Sequence, residues 1–313
     1  VARVLITTDY LTPDDDVDRL LRRHGHQTVH LPYAGPRPAQ EQVKLLQDVD
    51  AAILASEPVT SEMLERADRL KVLARSGVGY DAIDVSAATA RSVQVCNAPG
   101  TNHHSVAELA LGLMLACARQ IPQVSAAVDQ GGWPREAGQE LRGKRLGVVG
   151  YGPSGRAVTQ LGAALGMQVQ VTTSHPDPAA ASAAFVGLEE NLQTADVLTL
   201  HTRAHDDAGP LLNAERLALM RPEAMLINTA RGSLVDEAAL AQALRTGTLG
   251  SAGLDVLEAE PLPQESPLRS LDNVIITSHL AGQTAEARRR AGLSAAQTVL
   301  DVLDGRQPDH PVS

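Results

Sequence analysis

Three short segments late in the chain carry side chains suited to acid–base and anion chemistry. Asn228-Thr229-Ala230-Arg231-Gly232, Glu258-Ala259-Glu260-Pro261 and Thr277-Ser278-His279-Leu280 each begin at or soon after the end of an apolar run that reads as a strand. A histidine gives and takes protons near neutrality because its unperturbed pKa is about 6.5. A neighbouring carboxylate favours the imidazolium and fixes which ring nitrogen holds the proton, a part that Glu260 can take for His279. A guanidinium clamps a carboxylate through two parallel hydrogen bonds and steadies charge on an oxyanion, which suits Arg231. Taken singly, these are equally a surface arginine, a solvated loop glutamate and a satisfied core histidine. Taken together at successive strand ends they make a candidate site, since open α/β sheets bind ligands beyond the carboxyl ends of their strands.

A glycine loop lies upstream. Gly150-Tyr151-Gly152-Pro153-Ser154-Gly155 has the GxGxxG spacing, with the strand-like LGVVG before it and the helix-like RAVTQLGAALG after it. In that context Gly150 makes the tight turn, Gly152 admits a pyrophosphate to the backbone, and Gly155 lets helix and strand pack closely. The helix N-terminus then faces the phosphates. Pro153 has no N–H to give; Ser154 offers both an amide and a hydroxyl. With a dinucleotide bound here, the Arg-Glu-His set suits hydride transfer to the carbonyl carbon of a small 2-keto acid. His279 would protonate the oxygen and Arg231 would hold the carboxylate.

Cofactor choice turns on the end of the next strand, where an acidic residue about 20 positions on usually takes the ribose hydroxyls of NAD. The stretch Thr172-Thr173-Ser174-His175 has no carboxylate. Ser174 and His175 can donate to a 2′-phosphate, and Arg203, in the loop after His201, adds charge, so NAD and NADP both stay open with a lean to NADP. A second pattern, GxxxxGK from Gly138 to Lys144, is a decoy: Arg145 stands where a magnesium-binding hydroxyl belongs, and a strand follows instead of a helix.

The elements that must position these groups alternate between short β-type runs and helical periods, which implies α/β layers with parallel sheets. VLITT (4–8), AAILA (51–55), KVLAR (71–75) and SVQVC (92–96) read as strands of a first unit. Pro13 and Asp14–Asp16 open a helix that Gly25 closes, and a long apolar helix runs from Ser105 to about Arg119, followed by a loop with Gly131, Gly132, Trp133 and Pro134. RLGVVG then starts a second series through VQVTT, ADVLTLH, AMLINTA, SAGLDV and NVIITS, and a last helix runs from Thr284 to Gly305.

Composition narrows the partners. The chain has 313 residues, a net charge of −10 and 2% aromatics, which disfavours nucleic acid and an anionic membrane surface. The longest apolar stretch, Leu109–Ala118, is too short to span a bilayer, and no export signal is legible, so the reading is a cytoplasmic protein. Cys96 and Cys117 read as small core residues. His24, His26 and His30 fall across a helix end and a turn, a poor metal arrangement, and His103 and His104 precede a helix.

Together these residues resemble the D-isomer-specific 2-hydroxyacid dehydrogenases, the family of phosphoglycerate dehydrogenase and of glyoxylate and hydroxypyruvate reductases. The likeness runs through RSGVGYDAID (75–84), NAPGTNHHSVAE (97–108), GGW (131–133), LRGKRLGVVGYGPSG (141–155), ADVLTLH (195–201), INTARGSLVDEAAL (227–240), GLDVLEAEPLP (253–263) and TSHLAGQT (277–284).

The resemblance implies two Rossmann-like or flavodoxin-like parallel-sheet domains with the active site in the cleft between them. Residues 1–99 plus 284–313 would form the substrate domain and 100–283 the dinucleotide-binding domain. It implies Arg231, Glu260 and His279 as the catalytic residues. Ser76, Gly77, Val78 and Gly79 would receive the substrate carboxylate with Arg231. Gly150, Gly152, Pro153, Ser154, Gly155, Thr173, Ser174, His175, His201, Thr229, Ala230, Asp255 and Gly282 would line the dinucleotide, Asp255 near the nicotinamide amide. It also implies a homodimer through the nucleotide domain.

Departures from the family pattern are Ser278 where proline usually precedes the histidine, Arg203-Ala204-His205 after His201, Thr173 at the acidic selector, and Pro153. A dinucleotide-sensing corepressor on the same fold is the alternative of a different class. Formate or phosphite would be alternative substrates, though no residue points to either.

Overall fold

The computed structural model of the chain describes residues 1–177, 183–204 and 209–312. In chain order its elements begin with β1 (Arg3–Ile6), α1 (Asp16–Arg23), β2 (Gln27–His30), α2 (Ala39–Gln42), β3 (Ala51–Leu54), α3 (Ser61–Glu65), β4 (Val72–Arg75), α4 (Val85–Ala90) and β5 (Gln94–Cys96). There follow α5 (His103–Arg119), α6 (Ile121–Asp129), β6 (Arg145–Val149), α7 (Pro153–Ala164), β7 (Gln168–Thr172), β8 (Ala184–Phe185), α8 (Leu188–Thr194), β9 (Val197–Leu200), α9 (Ala214–Leu217), β10 (Met225–Asn228), α10 (Glu237–Thr246), β11 (Ser251–Leu254), β12 (Val274–Ile276) and α11 (Ala285–Leu303).

The chain divides into two compact units. Unit 1 comprises Val1–Asn102 and Gly282–Ser313, and unit 2 comprises His103–Ala281. Unit 1 is a parallel sheet in the order β2-β1-β3-β4-β5, the flavodoxin-like winding. Its strands show the period of two that buried sheets require. Leu5, Ala52, Leu54 and Leu73 face one apolar layer, while Val4, Ile6, Ile53, Val72 and Ala74 face another, closed by Ala295, Ala296, Val299 and Leu300 of α11. Thr284 caps α11 by accepting the Ala287 N–H, and Gly305, at φ +74°, lets the chain leave it.

Unit 2 is a seven-stranded parallel sheet in the order β12-β11-β10-β9-β6-β7-β8. The chain starts at the centre with β6, winds outward to β8, then crosses to β9 and winds the other way, which is the doubly wound Rossmann topology. The reversal falls between β6 and β9, so the loop leaving β6 stands at the switch point. β9 and β10 are buried along their whole lengths and are apolar but for Thr199 and Asn228, as interior parallel strands demand.

Several elements depart from the sequence reading. The strand Gln27–His30 is legible neither by hydropathy nor by alternation, being a half-polar edge strand. Between the helix ending at Arg119 and the glycine-rich loop, the chain forms α6 instead of passing directly into the loop. Gln120 turns through the left-handed region (φ +50°) and Pro122 sits in the first helical turn, where its missing N–H costs nothing. The long helix also starts two residues early, at His103, whose ring lies 4.0 Å from that of His104.

Cys96 is buried and Cys117 half-buried, both are unpaired, and burial pushes each thiol up to about 11. Among the described residues, no group of three or more His, Cys, Asp or Glu gathers as a metal site. His30 instead meets the buried Asp18 carboxylate at 3.0 Å. No single described helix is long and apolar enough to cross a membrane, although α5 and α6 taken together, bent by 61° at their junction, pass on length and composition.

Candidate active site

The loops after β10, β11 and β12 lie side by side, because these strands pair in parallel with Asn228 opposite Leu254 and Leu254 opposite Ile276. Arg231 stands three residues past the first of these positions, Glu260 six past the second, and His279 three past the third. The buried Asn228 side chain shapes the first loop: its amide donates to the Arg231 carbonyl (2.8 Å) while its oxygen accepts the Ala230 N–H (3.0 Å). Gly232 locks that loop to the second. A Cβ there would lie 1.9 Å from the carbonyl carbon of Leu257, so only glycine admits the contact. Leu257 in turn donates its N–H to Glu260 Oε1 (3.0 Å), and Glu260 Oε2 lies 2.9 Å from His279 Nδ1.

His279 is held in the left-handed region, at φ +57°, a conformation that costs a non-glycine residue free energy and needs support from its surroundings. Asp255 supplies the support. Its carbonyl accepts the His279 N–H (2.9 Å). One carboxyl oxygen takes the Thr277 hydroxyl (2.6 Å) and the Leu280 N–H (2.7 Å), and the other takes the Ala281 N–H (2.8 Å). The resemblance sets Asp255 beside a nicotinamide amide; here both its oxygens fasten the histidine loop. The imidazole and Glu260 side chains are about half exposed, so their ion pair adds little to stability. Its effect is orientation: with Nδ1–H donated to Glu260, Nε2 is the nitrogen that faces chemistry, a tautomer assigned from the partner.

The glycine loop has the shape a dinucleotide needs. Gly150 takes φ +98°, and a Cβ on it would lie 2.4 Å from the His201 carbonyl oxygen. A Cβ on Gly155 would lie 2.1 Å from the Gly150 carbonyl oxygen, so helix and strand meet here backbone to backbone. The Cβ position of Gly152 opens into free space, as a pyrophosphate approach requires. α7 starts at Pro153 with Gly152 as its cap, which leaves the Ser154 and Gly155 amides in the first turn for an anion. Thr229, at the end of β10, has a buried hydroxyl without a hydrogen-bond partner, a second position that a bound group would satisfy. Ala230 follows it, half-buried.

His201 backs this loop. Its N–H binds the Val149 carbonyl (2.7 Å), its ring meets Thr199 Oγ1 (2.9 Å), and burial pushes its imidazole down from 6.5 to about 4. It is therefore neutral at physiological pH. Past β7, Thr173 accepts the His175 N–H (3.2 Å), and Ser174 Oγ lies 2.9 Å from His175 Nδ1, the Ser174 and His175 side chains being exposed. Beside them Arg156 stacks on Tyr151 and pairs with Asp177 at 2.8 Å, a cation near the glycine loop that motif reading passes over. His205 lies outside the described residues.

Ser76, Gly77, Val78 and Gly79 follow β4 in unit 1. The Ser76 carbonyl accepts from Tyr10 (3.2 Å) and Arg75 (3.1 Å), the Gly77 carbonyl from Ala98 N–H (2.9 Å), and the Val78 carbonyl from Asn97 (2.7 Å). With three successive carbonyls held, the amides of Val78 and Gly79 are the loop groups left to meet a carboxylate. Tyr10 carries no motif signal, and Asn97 opens the 97–108 segment of the resemblance without a role assigned to it. Gly282 also belongs to unit 1, where it packs on Asn102, 2.8 Å from the position of its absent Cβ.

A doubly wound sheet with a phosphate-ready glycine loop at its switch point, and an oriented histidine–carboxylate pair at neighbouring strand ends, defines a dinucleotide-binding protein equipped for proton transfer. The family model for the D-isomer specific 2-hydroxyacid dehydrogenase, NAD binding domain, matches residues 111–281. A D-3-phosphoglycerate dehydrogenase of Methanocaldococcus jannaschii is 40% identical over 281 residues, 88% of this chain and 53% of its own length. A hydroxypyruvate reductase of Thermotoga maritima is 37% identical over 84% of this chain and 88% of its own. The solved structure of the TT0316 protein from Thermus thermophilus superposes with a TM-score of 0.92 at 38% identity, covering 99% of this chain and 100% of that one. The chain belongs to the D-isomer specific 2-hydroxyacid dehydrogenase family. It spans about half the length of the phosphoglycerate dehydrogenase just described.

Proposed function

We propose that the protein is an NAD(P)-dependent dehydrogenase that interconverts a small 2-keto acid and its D-2-hydroxy acid. The observation that carries this reading is the His279–Glu260 pair, 2.9 Å apart and braced by Asp255, with the Arg231 loop locked against it through Gly232. A nicotinamide dinucleotide at the glycine loop would supply or accept the hydride. In the reducing direction His279 Nε2 gives its proton to the carbonyl oxygen, and Glu260 stabilises the imidazolium that stands ready to do so. Arg231 clamps the substrate carboxylate, and in unit 1 the Val78 and Gly79 amides are groups suited to an anion. Unit 2 has the dinucleotide role and unit 1 the substrate role.

Two finer points have support from single residues. Thr173 in place of an acid, with Ser174 and His175 exposed beside it, favours NADP. Arg75, the candidate cation for a phosphate beside the substrate loop, has a guanidinium nitrogen committed to the Leu54 (3.2 Å) and Ser76 (3.1 Å) carbonyls, which favours a substrate without phosphate. A second copy of the chain would cover the exposed Ile121, Val124 and Val128 of α6, together with Trp133. The cytoplasm fits two unpaired cysteines.

The test follows NADPH and NADH oxidation with glyoxylate, hydroxypyruvate, pyruvate and phosphohydroxypyruvate, with His279→Ala as control. Turnover that falls by about 10²–10⁴ in the variant supports the assignment. No turnover with any pair, despite dinucleotide binding, would move the reading to the sensing role.

A further inference from the structure

Glu57 follows β3, between Ser56 and Pro58, and the residue is only 1% exposed, with both carboxyl oxygens buried. Neither of its carboxyl oxygens has a hydrogen-bond partner. Buried carboxylates are almost always paired, so this one asks for a cation or a strong donor.

The topology says where. β3 and β4 pair in parallel up to Leu54 opposite Arg75, and the two chains meet again where Val59 bridges Ile83 and donates its N–H to Ala82 (2.9 Å). Between these anchors the stretch 55–58 runs alongside 76–82, which contains the Ser76–Gly79 loop. On the other flank of β3, just past β1, Thr8 buries a hydroxyl that also has no partner. Thr7 next to it fastens Ala55 through its own hydroxyl (3.0 Å). The carboxyl ends of three adjacent strands therefore hold a buried hydroxyl, a buried carboxylate and an anion-ready loop, the arrangement in which open sheets bind ligands.

We propose that Glu57 selects the substrate side chain, taking the cationic end of a 2-keto acid whose carboxylate lies on Ser76–Gly79, with the Thr8 hydroxyl as a second acceptor. This rests on the dehydrogenase reading and narrows it to substrates with an ammonium or guanidinium group. The same carboxylate repels a phosphorylated side chain.

The experiment compares the 2-keto acid of arginine with that of citrulline, which has the same shape and no charge, in wild type and Glu57→Gln. kcat/KM is measured alongside calorimetric binding of both acids, with glyoxylate and hydroxypyruvate turnover as the check on the reaction class. Wild type is expected to prefer the arginine-derived acid by about a hundredfold in kcat/KM and in affinity, and the variant to bring that ratio close to one. A wild-type ratio near one in both measurements, with glyoxylate or hydroxypyruvate turned over, overturns the Glu57 assignment and leaves the reaction class standing. Absence of turnover with every acid overturns the reaction class, while a calorimetric preference lost in the variant still upholds the cation site. Should the variant not fold, the wild-type ratio alone decides.

Discussion

Asp255→Asn isolates the device that holds His279 in its left-handed conformation. The substitution keeps size and shape. At the first oxygen, the bonds from Thr277 and Leu280 (2.6 and 2.7 Å) fall from charge-assisted to neutral strength. At the second, an amide NH₂ would face the Ala281 N–H that now donates across 2.8 Å, so two donors collide in a buried place. Weakening two bonds and orphaning a buried donor costs about 3 kcal/mol or more. If half of that appears as global destabilisation, the melting temperature falls by about 3–6 °C. If the full amount is expressed in how often His279 holds its left-handed conformation, kcat falls on the order of a hundredfold. Steady-state kinetics and dinucleotide titration by fluorescence separate this role from contact with a nicotinamide ring. A positioning role lowers kcat and leaves dinucleotide affinity within about threefold. A variant with wild-type kcat and a weakened dinucleotide complex would refute the reasoning.

Other expectations follow from single contacts. His201 binds a proton more weakly folded (about 4) than unfolded (6.5), so its contribution is full above pH 6.5 and lost as pH falls from 6.5 towards 4. Denaturant titration should show about 2 kcal/mol lost between about pH 7.5 and about pH 5, with the slope reduced in His201→Asn. Gly232→Ala drives a methyl into the Leu257 carbonyl carbon at 1.9 Å and should cost about 3 kcal/mol or more by calorimetry, together with activity. Gly152→Ala, whose Cβ position is open, should melt within about 2 °C of wild type yet bind dinucleotide about tenfold more weakly, by titration. Val128→Asp should turn a dimer into a monomer in sedimentation velocity if α6 and Trp133 form the interface; an unchanged sedimentation coefficient counts against that face.

The sheets were legible because buried parallel strands are nearly continuous apolar runs, as in Ala51–Leu54 and, with Thr199 its one polar residue, Val197–Leu200. The doubly wound order is confirmed by the pairing of β6 with both β7 and β9. Gln27–His30 escaped because an edge strand need not be apolar, and Ile121–Asp129 because a left-handed Gln120 has no compositional mark. Arg231, Glu260 and His279 stood out because strand ends carrying ionisable groups form a pattern. How they are supported did not, and the resemblance names Asp255 only in another role. Asp255 and Asn228 act through hydrogen bonds to backbone several residues away, Gly232 acts by what it lacks, and Glu57 reads as an ordinary loop charge until its burial is known. Sequence shows residue types; it does not show which backbone groups they will meet.

Unit 1 draws on both sides of unit 2 in the chain, since α11 closes the layer begun by β1, β3 and β4. During synthesis those strands must therefore wait. About 200 residues separate β5 from the end of α11, which at roughly 5–20 residues per second is about 10–40 s of exposed apolar strand. Unit 2 is contiguous and ends at Ala281, about 20 residues before the end of α11, so it is complete about 1–4 s ahead of its companion at that rate. The nascent chain thus carries the contiguous unit 2 beside a sheet that still lacks α11. An early-folding unit 2 also means that dinucleotide could stabilise the chain before unit 1 is complete.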